Sequence, residues 1–155
     1  MRRVVGCSVI LAISGGQPLW AQTNTWNKIR YNGGTVQAKV DPYDWNAVLT
    51  VKPDAITLVF GRRQTLRILP AQVTALSYGQ EAHRRVAEMV AMGIMVTPFA
   101  LFGILHKSKD HTVAIQFRGE DGKAAGVLLE VHKDSYKAVL QALKAATGKP
   151  VENEP

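Results

Sequence analysis

A mainly apolar run in the middle of the chain constrains its fold more than any other feature. It covers residues 86–105, VAEMVAMGIMVTPFALFGIL, and basic residues lie on both sides of it. A helix of about 20 residues measures roughly 30 Å, which matches the hydrocarbon core of a bilayer. The strand signals before and after the run, however, belong to one small β domain. A single transmembrane span would therefore separate strands that have to pair.

The N-terminus has the layout of a secretory signal. Two arginines precede an apolar stretch over residues 4–13, and Ala21 offers a small residue for cleavage. We predict a signal peptide over residues 1–21, with an uncleaved anchor as the alternative. Cys7 lies inside the apolar stretch, so the mature chain would contain no cysteine and no disulfide. The expected location is the periplasm or the medium, with peripheral attachment to the membrane as a further option.

The charge balance favours anionic partners at the cell envelope. The full chain has a net charge of +7, and cleavage after Ala21 would leave 17 basic against 12 acidic side chains, a net charge of +5. For an exported chain, lipid headgroups or envelope polymers are better candidates than nucleic acid. A nucleic-acid surface would also require aromatic and basic residues interleaved on one face. We therefore expect no nucleic-acid partner.

Apolar residues that alternate with polar ones predict seven short antiparallel strands. A polar lead-in over residues 22–33 comes first, and the alternation then runs from Val36 to Tyr78 through five strands. Two more strands follow the apolar run, over residues 112–118 and 127–131, with the Gly119-Glu-Asp-Gly122 turn between them.

The last predicted element is an amphipathic helix. Its apolar positions repeat at i, i+3, i+4 and i+7, at Tyr136, Val139, Leu140 and Leu143. Gly148 is expected to end the helix, and residues 149–155 are expected to form a flexible tail. A chain of this length suits one domain, which we place at residues 34–148.

The order of these elements resembles the pleckstrin-homology-like (PH-like) domains, in particular the small bacterial PH and GRAM-like group. The stretches that carry the resemblance are residues 49–58, 68–78 and 136–147. The resemblance implies an α+β, mainly β fold: a seven-stranded antiparallel curled sheet or partial barrel, closed by the C-terminal amphipathic helix. The apolar run would be a helical hairpin inserted between strands 5 and 6, over residues 80–109.

The family resemblance also implies recognition rather than catalysis. PH-like domains mostly bind lipid headgroups, peptides or partner domains. Those that bind phosphoinositides carry basic residues around the loop between their first two strands. Here that loop contains Asp41 and Asp44 and is acidic, so phosphoinositide binding is not expected.

The sequence offers little for catalysis or metal binding. The four histidines are His83, His106, His111 and His132, and their spacing does not place two of them on one helical face. Ser77 lacks the glycines of a nucleophile elbow, and there is no P-loop. We therefore predict no enzymatic activity, no metal and no cofactor.

Three interpretations of the insert are open: a transmembrane span, a membrane-embedded hairpin bent near Pro98, and an element that packs on the sheet or on a second copy of the chain. Glu88 can pair with Arg84 or Arg85 one helical turn away. The candidate membrane-binding or partner-binding residues are Val90, Met92, Ile94, Met95, Phe99, Leu101 and Phe102. The candidate basic flank consists of Arg84, Arg85, Lys107 and Lys109.

We accordingly expect an exported, non-catalytic binding or adhesion module that acts at the cell envelope through its insert. Its partner would be the membrane lipid surface or a protein, including a second copy of the chain. The alternative is a small-ligand carrier or an enzyme whose insert forms a lid over a barrel cavity. In that alternative, Tyr78, His83 and His111 would be the pocket groups.

Overall fold

Eight strands form one sheet in the part of the chain that the structure describes. The computed structural model describes residues 24–36, 38–41, 43–61, 63–91 and 111–155, and only the backbone of Val90 and Ala91. The strands are β1 (Asn24–Gly34), β2 (Ala47–Val51), β3 (Ile56–Phe60), β4 (Gln64–Ile68), β5 (Val73–Tyr78), β6 (His111–Arg118), β7 (Ala124–Val131) and β8 (Val151–Glu152). The helices of these residues are α1 (Gln80–Ala91), α2 (Tyr136–Thr147) and a short 3-10 turn at Pro70–Gln72. The predicted signal peptide over residues 1–21 lies outside this description.

The strand order places β1 at the centre of the sheet. The order is β4-β3-β2-β1-β7-β6-β5-β8, and every pairing is antiparallel except that of β5 with β8. Ile29 of β1 lies opposite Ala47 on one side and Val131 on the other. The first strand therefore joins the N-terminal and C-terminal halves of the domain.

The predicted strand count of seven and the position of the first strand were wrong. The alternation at Val36, Ala38 and Val40 does not form a strand, although these side chains pack partly buried against the core. The first strand instead occupies most of the predicted polar lead-in. Only two of its large side chains, Ile29 and Tyr31, are buried in the core, and most of its other residues are polar. The alternation of apolar and polar residues is therefore too weak to predict a strand here.

The C-terminal tail supplies the eighth strand. Val151 and Glu152 pair in parallel with Leu76 and Ser77 of β5, and Val151 is buried. A flexible tail was expected here because a single apolar residue among charged ones has no periodicity. The pairing covers part of the edge that β5 would otherwise present.

The predicted strands 2 to 7 and the C-terminal helix are confirmed. Helix α2 ends at Gly148, which is left-handed at φ 66° and donates its N–H to the carbonyl of Lys144 at 2.8 Å. The apolar stripe of α2 and the inward residues of the strands form one core: Ile29, Leu49, Leu58, Leu76, Ile115, Leu129, Val139, Leu140 and Leu143 are among its members. The face of the sheet opposite this core is called the outer face below.

Tyr31 gives the core a pH dependence on the alkaline side. Its side chain is buried, and its hydroxyl donates to the carbonyl of Val36 at 2.7 Å. Burial raises the pKa of Tyr31 far above its ordinary value of 10.0, and the hydrogen bond offsets only part of this. Above pH 10 the unfolded chain therefore loses a proton that the folded chain keeps.

We expect the free energy of unfolding to fall above about pH 10, by up to about 1.4 kcal/mol per pH unit for this group. Urea titrations between pH 8 and 11 measure it. Tyr31→Phe should reduce the slope, and Tyr43→Phe should not, because Tyr43 is exposed. An unchanged slope in Tyr31→Phe would contradict the assignment. Tyr78, whose pKa burial also raises, accounts for any remaining slope.

Candidate functional site

The two strands that flank the insert are neighbours in the sheet. Strand β5 ends at Tyr78 and β6 begins at His111, and the two strands are antiparallel neighbours. The N–H of Gly79 donates to the carbonyl of Thr112 at 2.8 Å, which holds the two ends together. The predicted position of the insert, between strands 5 and 6, thus corresponds to one end of the β5–β6 pair.

Helix α1, the first part of the insert, packs on the outer face of the sheet. Its residues Ala82, Val86 and Met89 are buried and repeat at i, i+4 and i+7. They form a second cluster with Ala114 of β6 and Leu128 of β7, which point away from the main core. The first turn of the apolar run, from Val86 to Met89, therefore packs on the sheet.

The remaining candidate residues fall outside the described part. The side chain of Val90 is not described, and the same holds for residues 92–110. These include Met92, Ile94, Met95, Phe99, Leu101, Phe102, Lys107 and Lys109. Neither α-helix of the described residues has the length and hydropathy that crossing a bilayer requires.

Ion pairs surround both described residues of the predicted basic flank. Arg84 donates from Nε to Glu81 at 2.9 Å and lies 3.6 Å from Glu88, which confirms the expected pairing one turn apart. Arg85 lies 3.0 Å from Glu81 and 3.0 Å from Glu152. Hydrogen bonding to Arg84 lowers the pKa of Glu81. Among the described residues, these two arginines face three carboxylates, so their positive charge is balanced.

Glu152 fastens the insert helix to the C-terminal strand, a role that the sequence did not reveal. Its carboxylate accepts from Nε and Nη2 of Arg85, each at 3.1 Å. It also accepts from the hydroxyl of the fully buried Ser77 at 3.4 Å. The residues involved are separated by 67 and 75 positions, so no local pattern could have shown the contact.

Two of the three proposed pocket groups come together. The hydroxyl of Tyr78 hydrogen-bonds to Nδ1 of His111, and the ring of His111 stacks on Tyr136 with 3.6 Å between centroids. Burial, and secondarily Tyr136, raises the pKa of Tyr78. His83 lies apart on α1, where burial lowers its pKa and its Nδ1 has no hydrogen-bond partner among the described residues. These three side chains connect the end of β5, the beginning of β6 and the start of α2, next to the point where the insert begins.

A polar row crosses the outer face of β1, β7 and β6. Glu130, 3% exposed, lies opposite Arg30 on one side and Thr112 on the other. Nη1 of Arg30 donates to both carboxylate oxygens of Glu130, at 2.8 and 2.9 Å, and Nδ2 of Asn32 lies 3.4 Å from the same carboxylate. The row was missed because Arg30 and Asn32 belong to the segment predicted as a lead-in.

Two features of the described residues bear on chemistry. No three His, Cys, Asp or Glu side chains among them lie close enough together to hold a metal ion. In these residues the interior of the fold is occupied by apolar side chains of the sheet and of α2.

Comparisons with known proteins concern the fold. No protein-family model matches the sequence, and no curated protein matches it. Among solved structures, the Spt16D–Pob3N heterodimer has a TM-score of 0.51 at 9% identity, over 87% of this chain and 56% of that chain. This chain therefore spans about half the length of the matched chain in that heterodimer. The C-terminal phosphotyrosine interaction domain of mouse APBB2 has a TM-score of 0.49 at 10% identity, over 90% of this chain and 97% of that one. At such identities the likeness shows the fold alone, and that fold is PH-like, α+β and mainly β.

Proposed function

We propose that the protein is an exported, non-catalytic binding module that attaches to a partner at the cell envelope through its insert. The observation that carries the proposal is the position of α1 on the outer face, next to the point where the insert both leaves and rejoins the sheet. An excursion with both ends at one place can present its middle to a partner without opening the domain.

The packing of α1 favours binding over the lidded carrier. A lid would have to lie over the opening of the sheet, whereas Val86 and Met89 are buried on the opposite face. The space between the sheet and α2 already contains Leu49, Leu129 and Leu143, and this packing counts against the carrier hypothesis, which needs room for a ligand there.

A protein partner, including a second copy of this chain, is the first candidate. With Val86 and Met89 used in packing, the apolar part of the run that remains is residues 90–105, shorter than the roughly 20 residues of a bilayer span. The carboxylates around Arg84 and Arg85 also reduce the attraction of this end for anionic headgroups. The membrane surface is the second candidate, favoured by Lys107 and Lys109 beside an apolar segment.

The double variant Met92→Asp/Ile94→Asp tests the proposal. We expect it to lose its attachment and to keep the melting temperature of the unmodified chain, because charge in an apolar contact surface opposes binding. The measurements are envelope fractionation, sedimentation equilibrium for self-association and flotation with phosphatidylglycerol vesicles. Ala71→Asp/Ala124→Asp is the matched control, since both positions are exposed.

A photo-crosslinking residue at position 94 separates the two candidates. A protein adduct of defined mass at position 94, absent when the crosslinker is at position 71, supports a protein partner. Vesicle flotation without any protein adduct supports the membrane surface. Early melting of the double variant would show that this part of the insert is core, and would contradict both.

A further inference from the structure

The loop between β1 and β2 presents exposed aromatic side chains. Tyr43 is 88% exposed and Trp45 is 36% exposed. Aromatic side chains supply much of the binding energy at protein interfaces, because they bury a large rigid area at a small entropic cost. Two of them two positions apart make this loop a candidate interaction surface.

Hydrogen bonds tie the described residues of this loop to β1 and to one another. The side chain of Asn46 accepts a backbone N–H of β1 at 2.8 Å and donates to the carbonyl of Asp41 at 2.7 Å. Arg30, which is anchored on Glu130, donates from Nη2 to the carbonyl of Tyr43 at 3.3 Å. Its guanidinium also lies 4.9 Å from the centre of the Trp45 ring. A loop ordered in this way loses little conformational entropy on binding.

An open groove of about 400 Å³ lies beside the loop, on the outer face of β2 and β3. Val48 and Val59 form a cross-strand pair within it, and they alternate with core residues of the same strands. Trp45 lies at its border. The groove thus combines an apolar floor with an aromatic wall.

Carboxylates dominate the charge of the groove. Among the described residues that line it, Asp41 and Asp44 are negative and Lys39 is positive, so these side chains carry a charge of −1 on a chain of +7. One oxygen of Asp41 accepts the N–H of Tyr43 at 2.9 Å, and one oxygen of Asp44 accepts the N–H of Trp45 at 2.8 Å. Within the part of the chain that the structure describes, the second oxygen of each carboxylate is left for a partner. Anionic lipid is repelled here, and a basic side chain is attracted.

We propose that this groove, called the aromatic groove below, binds an extended segment of a partner protein in which Lys or Arg alternates with apolar residues. The basic side chain pairs with Asp41 and Asp44, and its apolar neighbours cover Val48, Val59 and Trp45, which line the groove. From there the segment reaches the exposed ring of Tyr43, which precedes Asp44 in the adjoining loop. The proposal goes beyond the proposed function, because it uses neither α1 nor the insert.

Fluorescence anisotropy with labelled peptides tests the aromatic groove. The probe is Gly-Leu-Lys-Leu-Lys-Leu-Gly, compared with the same peptide carrying Glu in place of Lys, on the full chain at low and high salt. We expect only the basic peptide to bind. Tyr43→Ala should weaken it about tenfold. Asp44→Asn keeps the hydrogen-bond acceptor and removes the charge, so it should weaken binding about threefold and reduce the salt dependence.

Matched controls are Leu69→Ala, an exposed apolar residue elsewhere, and Asp54→Asn, an exposed carboxylate in the β2–β3 turn. Both should bind like the unmodified chain, and all four variants should keep its melting temperature. Equal binding of the two peptides, or equal losses in the controls, would overturn the proposal. Phosphatidylglycerol vesicles that bind through Tyr43 would also overturn it, since the groove would then face lipid.

Discussion

Replacement of Arg30 by Met is expected to lower the free energy of unfolding by about 3 kcal/mol. Glu130 is 3% exposed in the unmodified chain, and without Arg30 its carboxylate would keep only the amide of Asn32 as a hydrogen-bond partner among the described residues. A buried charge that loses its partner keeps its desolvation cost and loses the compensating attraction. The loop that Arg30 holds at Tyr43 and Trp45 should loosen as well. Urea unfolding at pH 7 measures the loss of stability.

Two comparison variants isolate this effect. Arg84→Met removes an arginine whose side chain is 61% exposed, and should cost less than about 1 kcal/mol. The double variant Arg30→Met/Glu130→Leu removes both charges, and should recover most of the lost stability. If Arg30→Met lowered the free energy of unfolding no more than Arg84→Met does, the pair of Arg30 with Glu130 would contribute no more than a surface ion pair.

Val86→Asp is expected to detach α1 from the sheet and to lower the free energy of unfolding by about 3 kcal/mol. Val86 is 1% exposed between the helix and the outer face, and no basic group of the second cluster could pair with a carboxylate there. Detachment would expose Ala114 and Leu128. Urea unfolding, together with limited proteolysis over residues 80–91, follows both consequences.

Ala87→Asp provides the control on the same helix. Ala87 is exposed, so the same residue is introduced with the same helix propensity and no burial. We expect a loss below about 1 kcal/mol, most of it from the lower helix propensity of Asp than of Ala, and no new cleavage. Equal effects at positions 86 and 87 would mean that α1 does not dock on the sheet, and the proposed route of the insert would lose its support.

Much of the fold could be read from periodicity. Strands β2 and β3 alternate at Leu49, Val51, Ile56 and Leu58 because one face meets the core and the other meets solvent. The spacing of Val139, Leu140 and Leu143 likewise reports the buried stripe of α2. These local patterns were sufficient for six strands, a helix and the PH-like resemblance.

The central strand β1 was not predicted because the side chains on its outer face are polar, although they are partly buried. Polar residues such as Arg30 and Asn32 ordinarily indicate a solvent-exposed segment. Here both side chains hydrogen-bond to the carboxylate of Glu130, about 100 positions away, so they can lie in a sheet. Partners that lie about 100 positions apart leave no trace in a short window of sequence. The last strand was not predicted for a related reason. Val151 and Glu152 form a strand by pairing with the edge of β5, which lies far away in the sequence.

The candidate site was also predicted only in part from the sequence. Residues 84–109 could be recognised as an apolar insert with basic ends from composition alone. Only the tertiary structure showed that Val86 and Met89 are buried on the outer face, and that Glu152 of β8 joins the carboxylates of α1 in pairing with the arginines. The aromatic groove also depends on it, because Asp41 and Asp44 looked like turn residues until Val48 and Val59 were placed beside them.

By itself, the sequence determined the mainly β architecture, the closing helix and the position of the insert between two neighbouring strands. Each of these follows from the period with which apolar side chains must meet a core, which neighbouring residues are enough to reveal. The tertiary structure alone decided on which face of the sheet the insert begins, which charges are cancelled and which aromatics remain exposed. Those outcomes depend on contacts between residues far apart in the chain, and such contacts exist only once the sheet has formed.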